Sequence, residues 1–312
     1  MKDADDPRRR AVPRASVIIS TRDRPQCLER CLQQLEKLEY RDFVAVVVDS
    51  APSTRAAEAI AARYGAEYRV CPLKGLSRAR NLGSYNARSE ILAYLDDDML
   101  PQQNWLGALV ESFADKSVMA VTGPVLPLQL FGLSEAELQE SLDLVPWGRL
   151  SFSIERSSAQ WFERANFGGI GDGNFALRRS AFSQIRSFDE QLGRGTAINS
   201  NEEHYAFFRI IDLGGKVIYA PQAIVFHPNS VSSDKLARKN LRENAAYFCF
   251  LMFRHPFRIL LVLKFAFEGF FGKKRWWCTF PKSRENQVPK WQKLSSGYKG
   301  FVDFLQSLVQ MS

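Results

Sequence analysis

Along the chain, short apolar runs alternate with amphipathic stretches. Ser16-Val17-Ile18-Ile19-Ser20 is the first run, a polar loop from Thr21 to Pro25 follows, and helical spacing extends from about Gln26 to Leu38. Phe43 to Val48 is a second run, ending in Asp49. Thr54 to Arg63 is Ala-rich and helix-like, and Ala66 to Val70 reads as a third strand. Short apolar runs between turn residues predict buried strands, and their alternation with helices predicts a parallel sheet with right-handed crossovers.

Next, Gly75-Leu76-Ser77-Arg78-Ala79-Arg80-Asn81-Leu82-Gly83 places a basic helical segment between glycines, and Ile91 to Leu95 is a strand that runs into Asp96-Asp97-Asp98. A helix is predicted from Asn104 and a strand over Val118 to Thr122. Residues 124 to 164 lack regular spacing and predict an insertion or flexible segment. Phe167-Gly168-Gly169-Ile170-Gly171-Asp172-Gly173-Asn174 is glycine-dense, a composition that lets backbone approach a ligand. Arg178 and Arg179 open a predicted helix. Another starts at Asn201-Glu202-Glu203-His204 and stops at Gly214-Gly215. Lys216 to Tyr219 and Ala223 to Phe226 are strands, the second leading into His227. From about Val231 the chain becomes helical, basic and aromatic. Arg254, His255, Pro256, Arg258, Lys264 and Glu268 interrupt the apolar stretch from Ala245 to Phe271, which argues against a spanning helix. On one continuous helix, Arg258, Lys264 and Glu268 would share a polar stripe. Lys273-Lys274-Arg275-Trp276-Trp277 suits a membrane interface, whereas packing of the same helix on the preceding domain is the competing expectation.

Composition narrows the class. With 312 residues and 46% hydrophobic content the chain can bury a substantial core, and a net charge of +8 favours anionic partners. Five scattered cysteines argue against a disulfide framework and for a reducing compartment. Cys27 and Cys31 lie four apart on a predicted helix, with no second pair to complete a metal site. The N-terminal residues, 1–14, read as a polar tail with no apolar leader core.

Candidate chemistry begins at the strand edge. In an open α/β sheet ligands bind at the C-terminal ends of the strands, where Asp49 and Asp96 both fall. Three adjacent acids alone also suit a solvated turn. Where they form a site, a hard cation bridging carboxylates and substrate phosphates is the usual partner.

In series, these segments resemble family 2 glycosyltransferases of the GT-A fold over roughly residues 15 to 230. Val17 to Arg24 is similar to the family's first strand and nucleotide loop, Val46-Val47-Val48-Asp49-Ser50 to its second strand, and Gly75 to Gly83 to its G-x-x-x-A-R-N-x-G segment. Asp96-Asp97-Asp98 looks like the DXD motif. Gly173 to Arg179 and Phe188-Asp189-Glu190 look like acceptor-side elements, and Val225-Phe226-His227 like the terminal strand with its histidine. The resemblance implies an α/β GT-A catalytic domain over residues 15–230, with a mainly parallel sheet flanked by helices, and a C-terminal helical extension over residues 231–312. Its implied activity is inverting, metal-assisted transfer of a sugar from a nucleotide-diphosphate donor to a hydroxyl of a glycan or lipid-linked acceptor.

The roles implied are these. Ser20, Thr21, Arg22, Arg24, Asp49, Arg80, Asp96 and Asp97 bind the nucleotide sugar. Asp49 accepts from a pyrimidine N3–H, which favours a uridine or thymidine carrier, and Arg80 either pairs with phosphate or supports the acids. Asp98 and His227 ligate Mn2+ or Mg2+, and Asp96 contacts the ribose or the metal. Gly173, Asn174 and Glu202 belong to the acceptor side. Glu203 stands where the family usually has the catalytic Asp, and its extra methylene shifts the carboxylate. A sugar-nucleotide-binding protein without transfer activity is therefore the alternative. A nucleotidyltransferase is less well supported, because Ser20 to Pro25 lacks a Gly-rich, Lys-containing phosphate loop. The expected location is cytoplasmic, with the segment 245–277 as a peripheral contact to the anionic inner face of the cell membrane. No nucleic acid is expected as a partner.

Overall fold

The computed structural model describes residues 12–142, 148–158, 161–167, 170–228, 234–264 and 290–309. Three successive strand-helix units open the chain: β1 (Ala15–Thr21), α1 (Pro25–Leu35), β2 (Phe43–Ser50), α2 (Ala56–Arg63), β3 (Glu67–Cys71) and α3 (Leu76–Asn86). β4 (Ile91–Asp96), β5 (Leu100–Pro101), α4 (Trp105–Glu111), β6 (Val118–Thr122) and β7 (Val125–Pro127) follow. Then come α5 (Glu135–Leu142), β8 (Phe152–Ile154), α6 (Trp161–Phe167), β9 (Asn174–Arg178), α7 (Arg179–Gln184), α8 (Glu202–Asp212), β10 (Lys216–Tyr219) and β11 (Val225–His227).

The main sheet has eight strands in the order β3-β2-β1-β4-β9-β6-β10-β8, and β5-β11-β7 form a small second sheet. β3, β2, β1 and β4 are parallel neighbours, as the alternation predicts. β9 is antiparallel to both β4 and β6, and β8 is antiparallel to β10. Side chains alternate across the sheet. Val17 and Ile19 pack with Leu28 and Leu32 of α1 and with Trp105 of α4; Ile18 faces the opposite layer with Ala79 of α3 and Phe207 of α8. Helices thus cover both faces, the condition for strands with apolar residues on both sides. α3 lies close on the sheet because residue 83 is Gly: a Cβ there would come within 2.6 Å of Ile18.

Two expectations change. Asn174–Arg178, which had no assigned element, is a central reversed strand, and the helix expected to open at Arg178-Arg179 starts at Arg179. The stretch expected to be irregular contains β7, α5, β8 and α6 among its described residues. Residues 1–11 of the expected polar tail lie outside the described residues, as do Gly168 and Gly169.

The C-terminal region packs on the catalytic layer. α9 (Asp234–Arg254) buries Tyr247, Phe250 and Leu251, and Tyr247 Oη donates to Asn166 Oδ1 at 2.6 Å. The helix then breaks: His255 leaves helical geometry, Pro256 cannot continue the hydrogen bonding, and the segment Pro256–Lys264 departs at 112°. Arg258 and Lys264 of the expected polar stripe both lie beyond the break, and Glu268 lies outside the described residues. Arg258 pairs with Asp212 at 2.6 Å, and Arg254 with Asp189 at 3.0 Å. Among the described residues no single helix is long and apolar enough to cross a membrane, although the bent pair passes on length and composition. α10 (Lys290–Val309) lies against α9, joined by Arg242 to both carboxylate oxygens of Asp303 at 2.5 Å. Lys273 to Trp277 lies outside the described residues, as does all of 265–277.

Candidate active site

The register of the parallel strands brings their C-terminal ends level, Thr21 opposite Asp49 and Ser20 opposite Asp96. Asp49 is buried. Its Oδ2 accepts from Tyr68 Oη at 3.0 Å, while Oδ1 has no hydrogen-bond partner. Burial raises its pKa, against the opposing Tyr68 hydrogen bond. Asp23, at φ 53, folds the loop after β1 back on itself and accepts from both the backbone and the hydroxyl of Ser53. Ser20 Oγ is buried and also unpartnered.

The three acids divide. Asp97 turns inward: Thr21 Oγ1 donates to it at 2.6 Å, Arg24 pairs with it, and burial pushes its carboxyl up to about 6 despite both partners. With no solvent access, its carboxylate faces the protein and fixes Thr21 and Arg24. Asp98 receives Arg24 Nη1 at 2.7 Å, and its other oxygen lies 3.4 Å from His227 Nε2, near enough for charge pairing but not aligned as a hydrogen bond. Burial opposes its charge, yet His227, Arg24 and Arg194 outweigh that and hold its carboxyl at about 2. His227 is brought there by β11, which pairs with β5 just after the acids. Asp98 and His227 thus offer a hard oxygen and an imidazole side by side, a donor set that suits Mn2+ or Mg2+. Among the described residues no group of three or more His, Cys, Asp or Glu side chains is placed to hold a metal ion.

Asp96 turns to the acceptor side. Arg80, 2% exposed, sends Nη2 to Asp96 Oδ1 at 3.0 Å and Nη1 to Glu202 Oε1 at 2.7 Å, with Glu203 Oε2 at 3.6 Å. Its guanidinium also stacks 5.2 Å from the Phe175 ring centre. Burial alone would lower the pKa of Arg80, but the acids raise it above the ordinary value. Its contacts are those of the second expected role, support of the acid cluster. Between the glutamates, burial pushes Glu202 up. Glu203 is also penalised by burial, but Arg80 and the hydrogen bond from Glu202 keep it low.

Each acid has a glycine behind it. A Cβ on Gly173 would lie 2.7 Å from Asp96 Oδ2, one on Gly171 2.8 Å from Glu203 Cγ, and one on Gly193 3.0 Å from Glu202 Oε2. The glycine-dense loop thus makes room for carboxylates, where backbone approach to a ligand was expected. Asn174 departs from its expected acceptor role. Its Nδ2 donates to the carbonyls of Pro124 and Ala223 and its Oδ1 accepts from Trp105 Nε1, so the buried amide is consumed in joining β9 to β6, β11 and α4. Trp105 and Trp161 serve packing, the latter stacked on Phe208. Cys31 is buried in the core on α1, Cys27 one turn before it.

Residues 16–186 match the family model for glycosyl transferase family 2, more than half of the chain. The chain belongs to that family. Among its relatives, the pre-mycofactocin glycosyltransferase of Mycobacterium tuberculosis is 26% identical over 245 residues, covering 77% of this chain and 48% of that protein. The succinoglycan biosynthesis protein ExoM of Rhizobium meliloti is 28% identical over 187 residues, 58% of this chain and 54% of that protein. The chain thus spans about half the length of these curated relatives. In fold it is similar to residues 1–349 of S. aureus TarS in complex with UDP-GlcNAc, with TM-score 0.59 and 14% identity over 94% of this chain and 81% of that one. It is also similar to the Pyrobaculum calidifontis mannosyltransferase PcManGT in complex with GDP-Man and Mn2+, with TM-score 0.52 and 17% identity over 96% and 76%. The fold of this family 2 member is the mixed α/β GT-A architecture.

Two residues at the site escape the motif reading. Arg194, exposed and between positive-φ glycines, lies within electrostatic reach of Asp98. Asp172 sits between Gly171 and Gly173 at φ 43, within electrostatic reach of His204, Glu203, His227 and Asp96. Its only signal in the sequence was an acid among glycines.

Proposed function

We propose that this chain transfers a sugar from a nucleotide-diphosphate donor, with a uridine or thymidine carrier favoured, to a hydroxyl of a glycan or lipid-linked acceptor, with inversion at the anomeric carbon. The observation that carries the reading is the division of one acidic strand end. Asp98 and His227 look to the donor edge, whereas Asp96 joins Arg80, Glu202 and Glu203 on the acceptor edge. Asp49, with one oxygen unpartnered, can accept from a pyrimidine N3–H. Arg22 and Arg24 on the nucleotide loop, with Arg194, supply positive charge for the diphosphate. Asp98 and His227 would hold Mn2+ or Mg2+, which when bound neutralises charge on the leaving diphosphate, while Asp96, engaged by Arg80, stays outside that set. Phosphate oxygens ordinarily complete such a shell, consistent with an open protein donor set.

On the acceptor side Glu203 takes the proton of the attacking hydroxyl. Glu202, engaged by Arg80 at 2.7 Å, orders the cluster, and Glu203 keeps Oε2 without a hydrogen-bond partner. Phe257 and Leu260, 100% and 79% exposed beside Arg258 and Lys264, give the C-terminal region an apolar and basic surface for an anionic membrane. The decisive experiment incubates purified protein with a panel of sugar nucleotides and Mn2+ or Mg2+. Metal-dependent release of nucleotide diphosphate from one donor, lost in Glu203→Gln with donor binding retained, supports transfer. Binding without release from any donor favours a sugar-nucleotide-binding protein instead.

A further inference from the structure

Beside the donor cleft, the acceptor edge holds buried polar atoms without a hydrogen bond. Glu203 Oε2 and His204 Nδ1 are both buried and make none; Arg80 Nη1 balances the charge of the first from 3.6 Å, beyond hydrogen-bonding distance. Among the described residues no hydrogen bond or ion pair engages the Asp172 carboxylate, although burial raises its pKa to about 6. Such atoms are costly in a folded protein unless a ligand or water completes them. They lie together: Asp172 is flanked by the glycine that packs on Glu203 and the glycine that packs on Asp96, and His204 follows Glu203 within electrostatic reach of Asp172. Its positive φ is a conformation that Asp tolerates better than most residues.

Resting on the glycosyltransferase reading, we propose that Asp172, Glu203 and His204 form an acceptor subsite for a saccharide presenting two neighbouring hydroxyls. Glu203 serves the hydroxyl that attacks and Asp172 accepts a hydrogen bond from the one beside it. In the transfer step the attacking oxygen bonds to the anomeric carbon while the bond from that carbon to the diphosphate oxygen breaks. The electron pair leaves with the diphosphate, and the hydroxyl proton passes to Glu203. Asp172 exchanges no proton; it fixes which hydroxyl faces the donor. A simple alcohol would satisfy Glu203 and leave Asp172 desolvated without a donor, so the pair of acids discriminates against it.

The test uses the full chain with the sugar nucleotide identified by the donor screen. Nucleotide diphosphate release is measured with methyl glycosides of gluco, galacto and manno configuration, with their monodeoxy counterparts, and with octanol. The subsite predicts that one glycoside is an acceptor and that its counterpart lacking the neighbouring hydroxyl falls by about tenfold or more in kcat/KM. Asp172→Asn is expected to lower acceptor kcat/KM by about tenfold, mainly through KM, and to abolish the preference for the intact diol. Nucleotide affinity by calorimetry reports that the variant is folded, and His204→Ala gives a second, independent loss of acceptor kcat/KM. Full discrimination in Asp172→Asn, or no glycoside better than octanol, overturns the subsite and leaves the transferase reading standing. No release from any donor overturns both.

Discussion

A methyl group on Gly171 would stand 2.8 Å from Cγ of Glu203. Gly171 also sits at φ +102, where an L side chain is strained, so Gly171→Ala carries two penalties at one position. It is expected to destabilise the protein by about 1–3 kcal/mol and to displace Glu203 enough to lower transfer by about 100-fold. Thermal unfolding and donor turnover check both parts; wild-type values would show that the loop relaxes without disturbing the acid.

Arg80→Lys keeps the charge and removes the fork. A lysine can answer one of the carboxylates that Arg80 now joins, leaving another buried without its partner. The expected cost is about 3 kcal/mol in denaturant unfolding. A smaller loss, within error of wild type, would mean that Asp96 and Glu202 find other donors.

The pH dependence of stability has a sign set by Asp172. Its carboxyl is raised from 3.8 to about 6 on folding, so its contribution is complete below about 3.8 and is lost as pH rises through about 6. Asp172→Asn removes that loss. Relative to wild type, the variant should gain up to about 3 kcal/mol between pH 4 and 7, read as a growing difference in Tm. A pH-independent difference would place the ionisation elsewhere.

Phe257→Ser tests the lipid surface. The side chain is 100% exposed, so the substitution costs little in folding, but it removes the most protruding apolar group next to the helix break. Sedimentation with vesicles containing anionic lipid should fall by several-fold. Equal sedimentation of variant and wild type would assign binding to another segment or show that there is none.

The parallel half of the fold was legible because β1, β2 and β4 each carry an apolar run and a terminal polar residue; β3, with Glu67 and Arg69 among its five residues, was legible only from the alternation of strands and helices. The reversed strand β9 was not. Five residues between a glycine loop and Arg179 carry no turn signal that marks them as a separate strand, and only pairing with β4 and β6, distant in sequence, makes them one. At the site, Asp49, Asp96, Asp98, Glu203 and His227 could be read from motif order. Their orientation could not: adjacent acids look alike in a sequence, yet successive side chains turn Asp97 into the core and leave Asp96 and Asp98 facing different halves of the cleft. Asn174 misled for a related reason, since an amide suited to binding a sugar is equally suited to joining buried carbonyls. Asp172 carried no helical or strand pattern of its own. The break at His255-Pro256 was visible as residues but not as a change of direction.

The segment that leads into Glu202 is fastened to α9 rather than to the sheet. Asn199 Nδ2 donates to Glu243 at 3.0 Å, Asn201 Nδ2 to Asn244 Oδ1 at 3.2 Å, and Tyr205 Oη meets His255 Nε2 at 3.0 Å. α9 and the residue after it therefore touch the acceptor side directly, and a displacement of that helix is expected to reach the glutamates without passing through the strands that hold the donor. Substitutions along α9 should accordingly change turnover more than nucleotide affinity, although none of them lies in the cleft.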